Sequence, residues 1–195
     1  MGLIEAVQLG RTFGERDVLR GLDLDIPSGA FLLVTGGNGS GKSTLLSLIA
    51  GLLAPTAGEL KVRAERGQIG YVGHEPLVYE ELTALENLDL FGRLYRVADR
   101  RERAGMLLER YGLWGARNDR VSAYSRGMKQ RLALCRALLH DPVLVLLDEP
   151  YAGLDPAGAE LLDAELADLS GSRTLVVSSH LPERIEHLAT LRLSL

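Results

Sequence analysis

GGNGSGKST, residues 36–44, follows the apolar run Phe31–Thr35 and leads into a second apolar run, Leu45–Ala50, closed by Gly51. Gly36, four further residues, then Gly41, Lys42 and Ser43 satisfy G-x-x-x-x-G-K-[ST], the spacing of a phosphate-binding loop. The chemistry needs these residue types. Gly36, Gly37, Gly39 and Gly41 let backbone N–H groups turn inward toward phosphate oxygens, where a bulkier residue would block the approach. Asn38, Ser40 and Thr44 complete the cradle. Lys42 reaches the terminal phosphates, the Ser43 hydroxyl suits Mg²⁺, and the N-terminus of the following helix adds its positive dipole end. Strand, loop and helix occur in the order this motif requires, which separates it from a chance glycine-rich turn.

The 195 residues suffice for one domain with a sizeable core, 1–195, and leave little room for a second. A hydrophobic fraction of 46% and a charged fraction of 25% are ordinary for a globular protein. No apolar run reaches the roughly 18 residues of a membrane span. The N-terminus MGLIEAV lacks a basic region followed by an apolar signal core, so a cytosolic location is expected. A net charge of −4 gives no general attraction to nucleic acid. Arg93, Arg96, Arg100, Arg101 and Arg103 cluster, but the interleaved Asp99 and Glu102 favour a solvated helix face. The single cysteine, Cys135, lies in an apolar helical pattern and reads as core packing.

Leu3–Leu9 and Val18–Ile26 read as an antiparallel pair around a turn at Gly14–Asp17, with Phe13 an ordinary aromatic at the hairpin end. Glu59–Val62 and Gln68–Val72 read as short strands. A mostly helical insert follows, over about 77–140. Thr83 with Glu86 forms a capping box for a helix to about Phe91, and Asp99 with Glu102 another for a helix stopped by Gly112. Ser125 caps a third helix to about Leu139. Val143–Leu147, VLVLL, is a buried parallel-type strand, Asp155-Pro156 opens a helix, and Thr174–Ser178 is a further strand. Pro182–Leu188 reads as a short helix and Leu191–Leu195 as an edge strand. The fold class is α/β, with a mainly parallel core sheet.

Asp148 and Glu149 end the VLVLL strand, where ligands gather in open parallel sheets. Successive side chains diverge in an extended segment, so the pair divides its roles: Asp148 toward Mg²⁺, Glu149 toward an attacking water. His180 lies just past the last core strand, at the same sheet edge. The helix start at Ser125 and Gly127 offers free N–H groups to an anion.

In this order the residues resemble the ATP-binding-cassette (ABC) ATPases, over essentially the whole chain. That resemblance makes GGNGSGKST the Walker A loop and YSRGM, 124–128, the signature stretch. It makes VLVLLDE Walker B, Gly153–Asp155 the D-loop, His180 the switch histidine and Phe13 the aromatic beneath adenine. It implies a phosphate-loop NTPase fold with an N-terminal antiparallel subdomain, ATP and Mg²⁺ as ligands, and Glu149, His180 and Lys42 as catalytic groups. Two cassettes would share each site, Ser125 and Gly127 of one facing the phosphates held by the other, with a second copy of this chain as the expected partner. Two departures stand out. Arg126 and Met128 replace the glycine and glutamine of the commonest signature, and His74, in YVGHEP, occupies the usual place of a glutamine near Mg²⁺. Imidazole is a poorer Mg²⁺ ligand than an amide oxygen, so His74 is a metal contact, a packing residue or a partner contact. The family also implies integral membrane permease subunits docking at Leu77–Arg96, on the cytoplasmic face of the membrane. YVGH with LTALENL and YSRGMKQR is similar to the CcmA-type haem-export cassettes of c-type cytochrome biogenesis, and drug-export ABC-2 cassettes share much of this pattern. Cassettes acting on DNA or ribosomes generally carry long coiled-coil inserts or two fused cassettes, so no nucleic-acid partner is expected.

Overall fold

The computed structural model describes residues 2–195. Two sheets organise the chain. Ile4–Phe13 (β1), Arg16–Ile26 (β2) and Ala57–Val62 (β4) form a three-stranded antiparallel sheet in the order β2-β1-β4. Phe31–Thr35 (β3), Ile69–Val72 (β5), Leu144–Asp148 (β6), Thr174–Ser178 (β7) and Leu191–Ser194 (β8) form the second, in the order β5-β6-β7-β3-β8 with every pairing parallel. Both faces of this sheet are covered, which is why its central strands read as unbroken apolar runs. Leu32, Val34, Leu144, Leu146 and Val176 pack on one face with Ile4, Leu9 and Ile26 of the antiparallel sheet and with Lys42–Ile49 (α1). Phe31, Leu33, Val145, Leu147, Leu175 and Val177 face the other way. There they meet apolar residues of Ala84–Leu94 (α2), Arg100–Arg110 (α3), Arg126–Leu138 (α4) and Pro156–Leu169 (α5).

The hairpin β1–β2 is longer than the alternation of side chains predicts. Its register shifts between Ala6 and Leu9 and again before Thr12, and Gln8 has φ +48. Each bulge adds a residue out of phase and breaks the period of two. At α2 the capping box forms as expected: Thr83 Oγ1 accepts from the Glu86 N–H at 3.2 Å and Glu86 Oε2 accepts from the Thr83 N–H at 2.8 Å. At α3 it does not. Asp99, at φ −97 and ψ 41, lies outside the extended region from which a cap side chain reaches the first turn, and it makes no capping bond. Pro182–Leu188 is likewise reduced to one 3₁₀ turn, Pro182–Arg184.

The arginine cluster is only partly a solvated face. Arg93 and Arg100 both bind Asp89, and the Arg103 guanidinium donates to the Leu138 and Leu139 carbonyls at the end of α4. Cys135 is fully buried, as its pattern implies. Because β3, β7 and β6 are neighbours, the segments leaving their carboxyl ends (residues 36–44, 179–181 and 148–154) converge at one sheet edge.

Candidate active site

Backbone constraints shape the phosphate loop first. Gly36 has φ +146 and a Cβ there would lie 2.5 Å from the Leu195 carbonyl oxygen, while Gly41 has φ +109 and would meet Leu19 Cδ2 at 2.8 Å. No side chain fits at either position, so the loop closes tightly between β2, β3 and α1. Lys42, Ser43 and Thr44 then form the first turn of α1, whose N–H groups have no carbonyl within the helix to bond. Lys42 is buried, its ammonium donating to the Gly36 and Gly37 carbonyls at 2.9 and 3.2 Å.

The carboxylates arrive from β6. Asp148 is buried and accepts a hydrogen bond from Ser178 Oγ at 2.7 Å. The Glu149 backbone turns out of the strand at φ +49, and its N–H donates to the same Ser178 Oγ at 2.9 Å. Ser178 thus fixes both acids, a role that its position at a strand end does not announce. The turn sends Glu149 toward the loop. Its Oε2 accepts from the His180 N–H at 2.9 Å, and its Oε1 stands 3.1 Å from His180 Nε2 and 3.5 Å from Lys42 Nζ. These two nitrogen contacts are close without being well directed, and Oε1 is a buried oxygen lacking a proper donor. Ser40 Oγ is a second buried polar atom without a partner. Polar groups buried in this condition await a ligand or water.

A cavity of about 490 Å³ opens over this cluster, lined by Asn38–Thr44, His74, Glu149 and His180. Asp148, Gly36 and Gly37 are not among the lining residues: Asp148 is buried beneath, whereas Gly37 is exposed beside it. Phe13 is also absent from the lining; its half-exposed ring sits at the hairpin end with the Arg11 guanidinium 4.4 Å from its centroid. Arg16 and Val18 of β2 form that wall instead, and nothing in the sequence pattern singled them out. Ser125 caps α4, accepting from the Met128 N–H at 3.2 Å, yet neither Ser125 nor Gly127 lines the cavity. The α4 start packs on the loop after Glu149 in its own chain: Gln130 Nε2 donates to the Pro150 carbonyl at 3.3 Å, and a Cβ at Gly153 would meet Arg126 Cδ at 2.7 Å. A smaller hollow of about 250 Å³ between Arg126, Lys129 and Pro76 shares His74 and Ala152 with the first, so exposed His74 stands on the rim between the two. Among the described residues no three His, Cys, Asp or Glu side chains group as a metal-holding set.

The family described as "ABC transporter" matches residues 19–152, a span that runs from β2 through the phosphate loop and both carboxylates to the loop after Glu149. The chain belongs to the ABC transporter family. Among its curated ABC relatives is the daunorubicin resistance ATP-binding protein DrrA3 of Streptomyces coeruleorubidus, 38% identical over 92% of this chain and 60% of that protein. Another is the lantibiotic transport ATP-binding protein SrtF of Streptococcus pyogenes, 32% identical over 96% of this chain and 84% of that protein. The chain spans about 60% of the length of the first curated relatives it matches. Of solved ABC cassettes, a dimeric post-hydrolysis state of MJ0796 bound to ADP and Pi superposes with a TM-score of 0.83 at 30% identity, covering 93% of this chain and 89% of that one. Its arrangement as an α/β ABC ATPase fold with a parallel sheet and an antiparallel β subdomain agrees with the expectation from sequence. None of these relatives is named as a haem exporter, which moves the weight from the CcmA-type reading toward other exporters.

Proposed function

We propose that this chain is the ATP-hydrolysing cassette of a membrane exporter, acting as a pair of cassettes on the cytoplasmic face of the membrane with integral permease subunits. One observation carries the reading: Lys42 and His180 flank a single buried oxygen of Glu149, under a loop in which Gly36 and Gly41 admit no side chain. The unpartnered Ser40 hydroxyl and the free N–H groups of the first turn of α1 fit a polyphosphate, and the unpaired Glu149 oxygen fits a water beside it. Lys42 would exchange its loop carbonyls for the terminal phosphates, and Glu149 would take the proton of the attacking water. His180 would help hold Glu149 in place and contact the γ-phosphoryl group as it passes to water, with ADP leaving. The oxygen donors of Ser43 and Asp148 fit Mg²⁺, whereas His74, exposed on the rim, fits a partner contact better. When bound, Mg²⁺ would neutralise charge on the β- and γ-phosphates. Since Ser125 and Gly127 stand outside the cavity of their own chain, they are available to the site of a second copy.

The relatives named for daunorubicin resistance and lantibiotic transport favour export of amphiphilic compounds by an ABC-2-type system. The haem-export reading survives as a second one on the strength of YVGH, LTALENL and YSRGMKQR. Disrupting the gene in its host distinguishes them. Sensitivity to amphiphilic drugs, restored by the wild-type chain and not by Lys42→Ala, supports the first; loss of c-type cytochromes with unchanged drug tolerance supports the second.

A further inference from the structure

Arg16 opens β2 directly opposite Phe13, which brings the hairpin end against the phosphate loop. Its guanidinium lies along that loop, Nη2 3.5 Å from the Gly39 carbonyl oxygen, and lines the cavity beside Val18. Several arginines of the chain are committed to acids, Arg63 to Glu5, Arg100 to Asp89 and Arg184 to Asp163, and others to backbone carbonyls, as Arg103 and Arg136 are. Arg16 has no carboxylate within 4.0 Å among the described residues, and the adjacent Asp17 is taken by Arg20 and by Thr12 Oγ1. Its one polar contact among the described residues is long, at the limit of a hydrogen bond. An arginine left with its donors unmatched, facing a cavity, is a fork suited to phosphate.

The two cations of the cavity stand at opposite ends of the loop. Lys42 is held at the Gly36–Gly37 end, beside Glu149 and His180. Arg16 stands at Gly39, with the apolar Val18 as its neighbour on the wall. If the reactive phosphate lies with Glu149, the inner phosphate and the nucleoside extend the other way. We propose that Arg16 is a nucleotide-binding residue, whose guanidinium takes the α-phosphate while Val18 backs the ribose, so that it holds ADP and ATP alike. This rests on the reading of the cavity as an ATP site. It gives the chain a cationic grip on the nucleoside end that does not depend on the ring of Phe13.

The test compares the wild-type chain with Arg16→Ala and Arg16→Gln for binding of Mg-ATP and Mg-ADP by titration calorimetry, at low and raised NaCl. Glutamine keeps a neutral donor for the Gly39 carbonyl and so separates loop support from charge. Both variants are expected to weaken ATP and ADP by the same factor, about tenfold for a partly exposed charge-assisted bond. The salt dependence of binding should flatten in step. Weaker ATP with unchanged ADP would place the guanidinium at the γ-phosphate and overturn the assignment. So would a glutamine variant that binds as the wild type does, since the charge would then be idle. If the wild-type chain binds neither nucleotide, the ATP reading falls and Arg16 with it, an outcome distinct from a difference between variants.

Discussion

His180 stands beside both oxygens of Glu149, its backbone N–H donating to Oε2 at 2.9 Å while its Nε2 lies 3.1 Å from Oε1. Only the second contact depends on the side chain. His180→Ala should therefore leave the carboxylate tethered at Oε2 but free to rotate, and lose the ring beside the reacting phosphate. Turnover should fall about a hundredfold, the scale of removing one preorganised electrostatic group. Phosphate release measured at saturating Mg-ATP checks this, and a rate within a factor of a few of the parent would contradict it.

Lys42→Ala removes the one buried ammonium of the site. It should lower turnover by at least about a hundredfold. The same substitution leaves Glu149 Oε1 without its nearby cation, which stands 3.5 Å away. Near-normal hydrolysis, assayed with membrane partners present, would remove the basis for the ATPase assignment.

Ser178→Ala tests a link that spans β6 and β7. The hydroxyl accepts from the Glu149 N–H and donates to Asp148; Ser178 and Asp148 are buried and Glu149 is partly buried. Alanine orphans a buried donor and a buried carboxylate oxygen together, at a cost of about 2–3 kcal/mol in stability. Urea unfolding measures that loss. Turnover should fall as well, because the φ +49 turn that aims Glu149 loses its anchor. Unchanged activity in a destabilised variant would mean that the turn is held by other contacts.

Ser178 also marks the boundary of what the sequence reveals. The phosphate loop, the acidic strand end and the helix at Ser125 are legible because each is local: the spacing, the flanking apolar runs and the cap lie within a few residues of one another. Ser178 is functional only through β6 pairing with β7, and Arg16 only because a hairpin end meets a loop more than twenty residues later. Such juxtapositions leave no periodic trace. The bulges near Gln8 blurred the first strand for the opposite reason, since an extra residue erases alternation that is really there. Asp99 shows a motif with the right spacing and the wrong dihedrals.

Cys135 supplies a chemical control on the fold. Burial pushes its thiol far above the ordinary range, with Glu165 adding to the effect, so the folded chain keeps the proton at any working pH. Thiol reagents should not label it until the protein unfolds. The unfolded chain releases that proton near pH 8.5, so its contribution to stability is constant below that pH and lost progressively as pH rises above it. Cys135→Ala should flatten this alkaline decline. Rapid labelling under native conditions would contradict the buried placement.

His74 occupies the rim shared by the two hollows, within reach of neither an acid nor a metal-holding group among the described residues. A partner contact there would transmit docking to the ATP site. His74→Gln should keep ATP affinity and alter the stimulation of hydrolysis by permease subunits reconstituted in vesicles. Equal basal and stimulated rates in variant and parent would reduce His74 to packing.

The final prediction separates binding from chemistry. Glu149→Gln keeps the size of the side chain and its acceptor oxygen for the His180 N–H, but it cannot take a proton from water. It also removes the negative charge that faces the incoming phosphates across Lys42. Hydrolysis should fall about a hundredfold or more, by the usual contribution of a positioned base. ATP binding should tighten rather than weaken, because like-charge repulsion is relieved. If Ser125 and Gly127 complete the site of a second copy, a γ-phosphate that is never cleaved should hold two chains together, stabilising the pair by linkage to ligand binding. ADP, lacking that phosphate, should not. Size-exclusion chromatography with light scattering on Glu149→Gln, in saturating ATP or ADP, reads the difference directly. Normal hydrolysis would show that another group is the base. An inactive variant that stays monomeric in ATP would show that two copies of this chain do not share a site unaided, which leaves the pairing to be enforced by the membrane subunits.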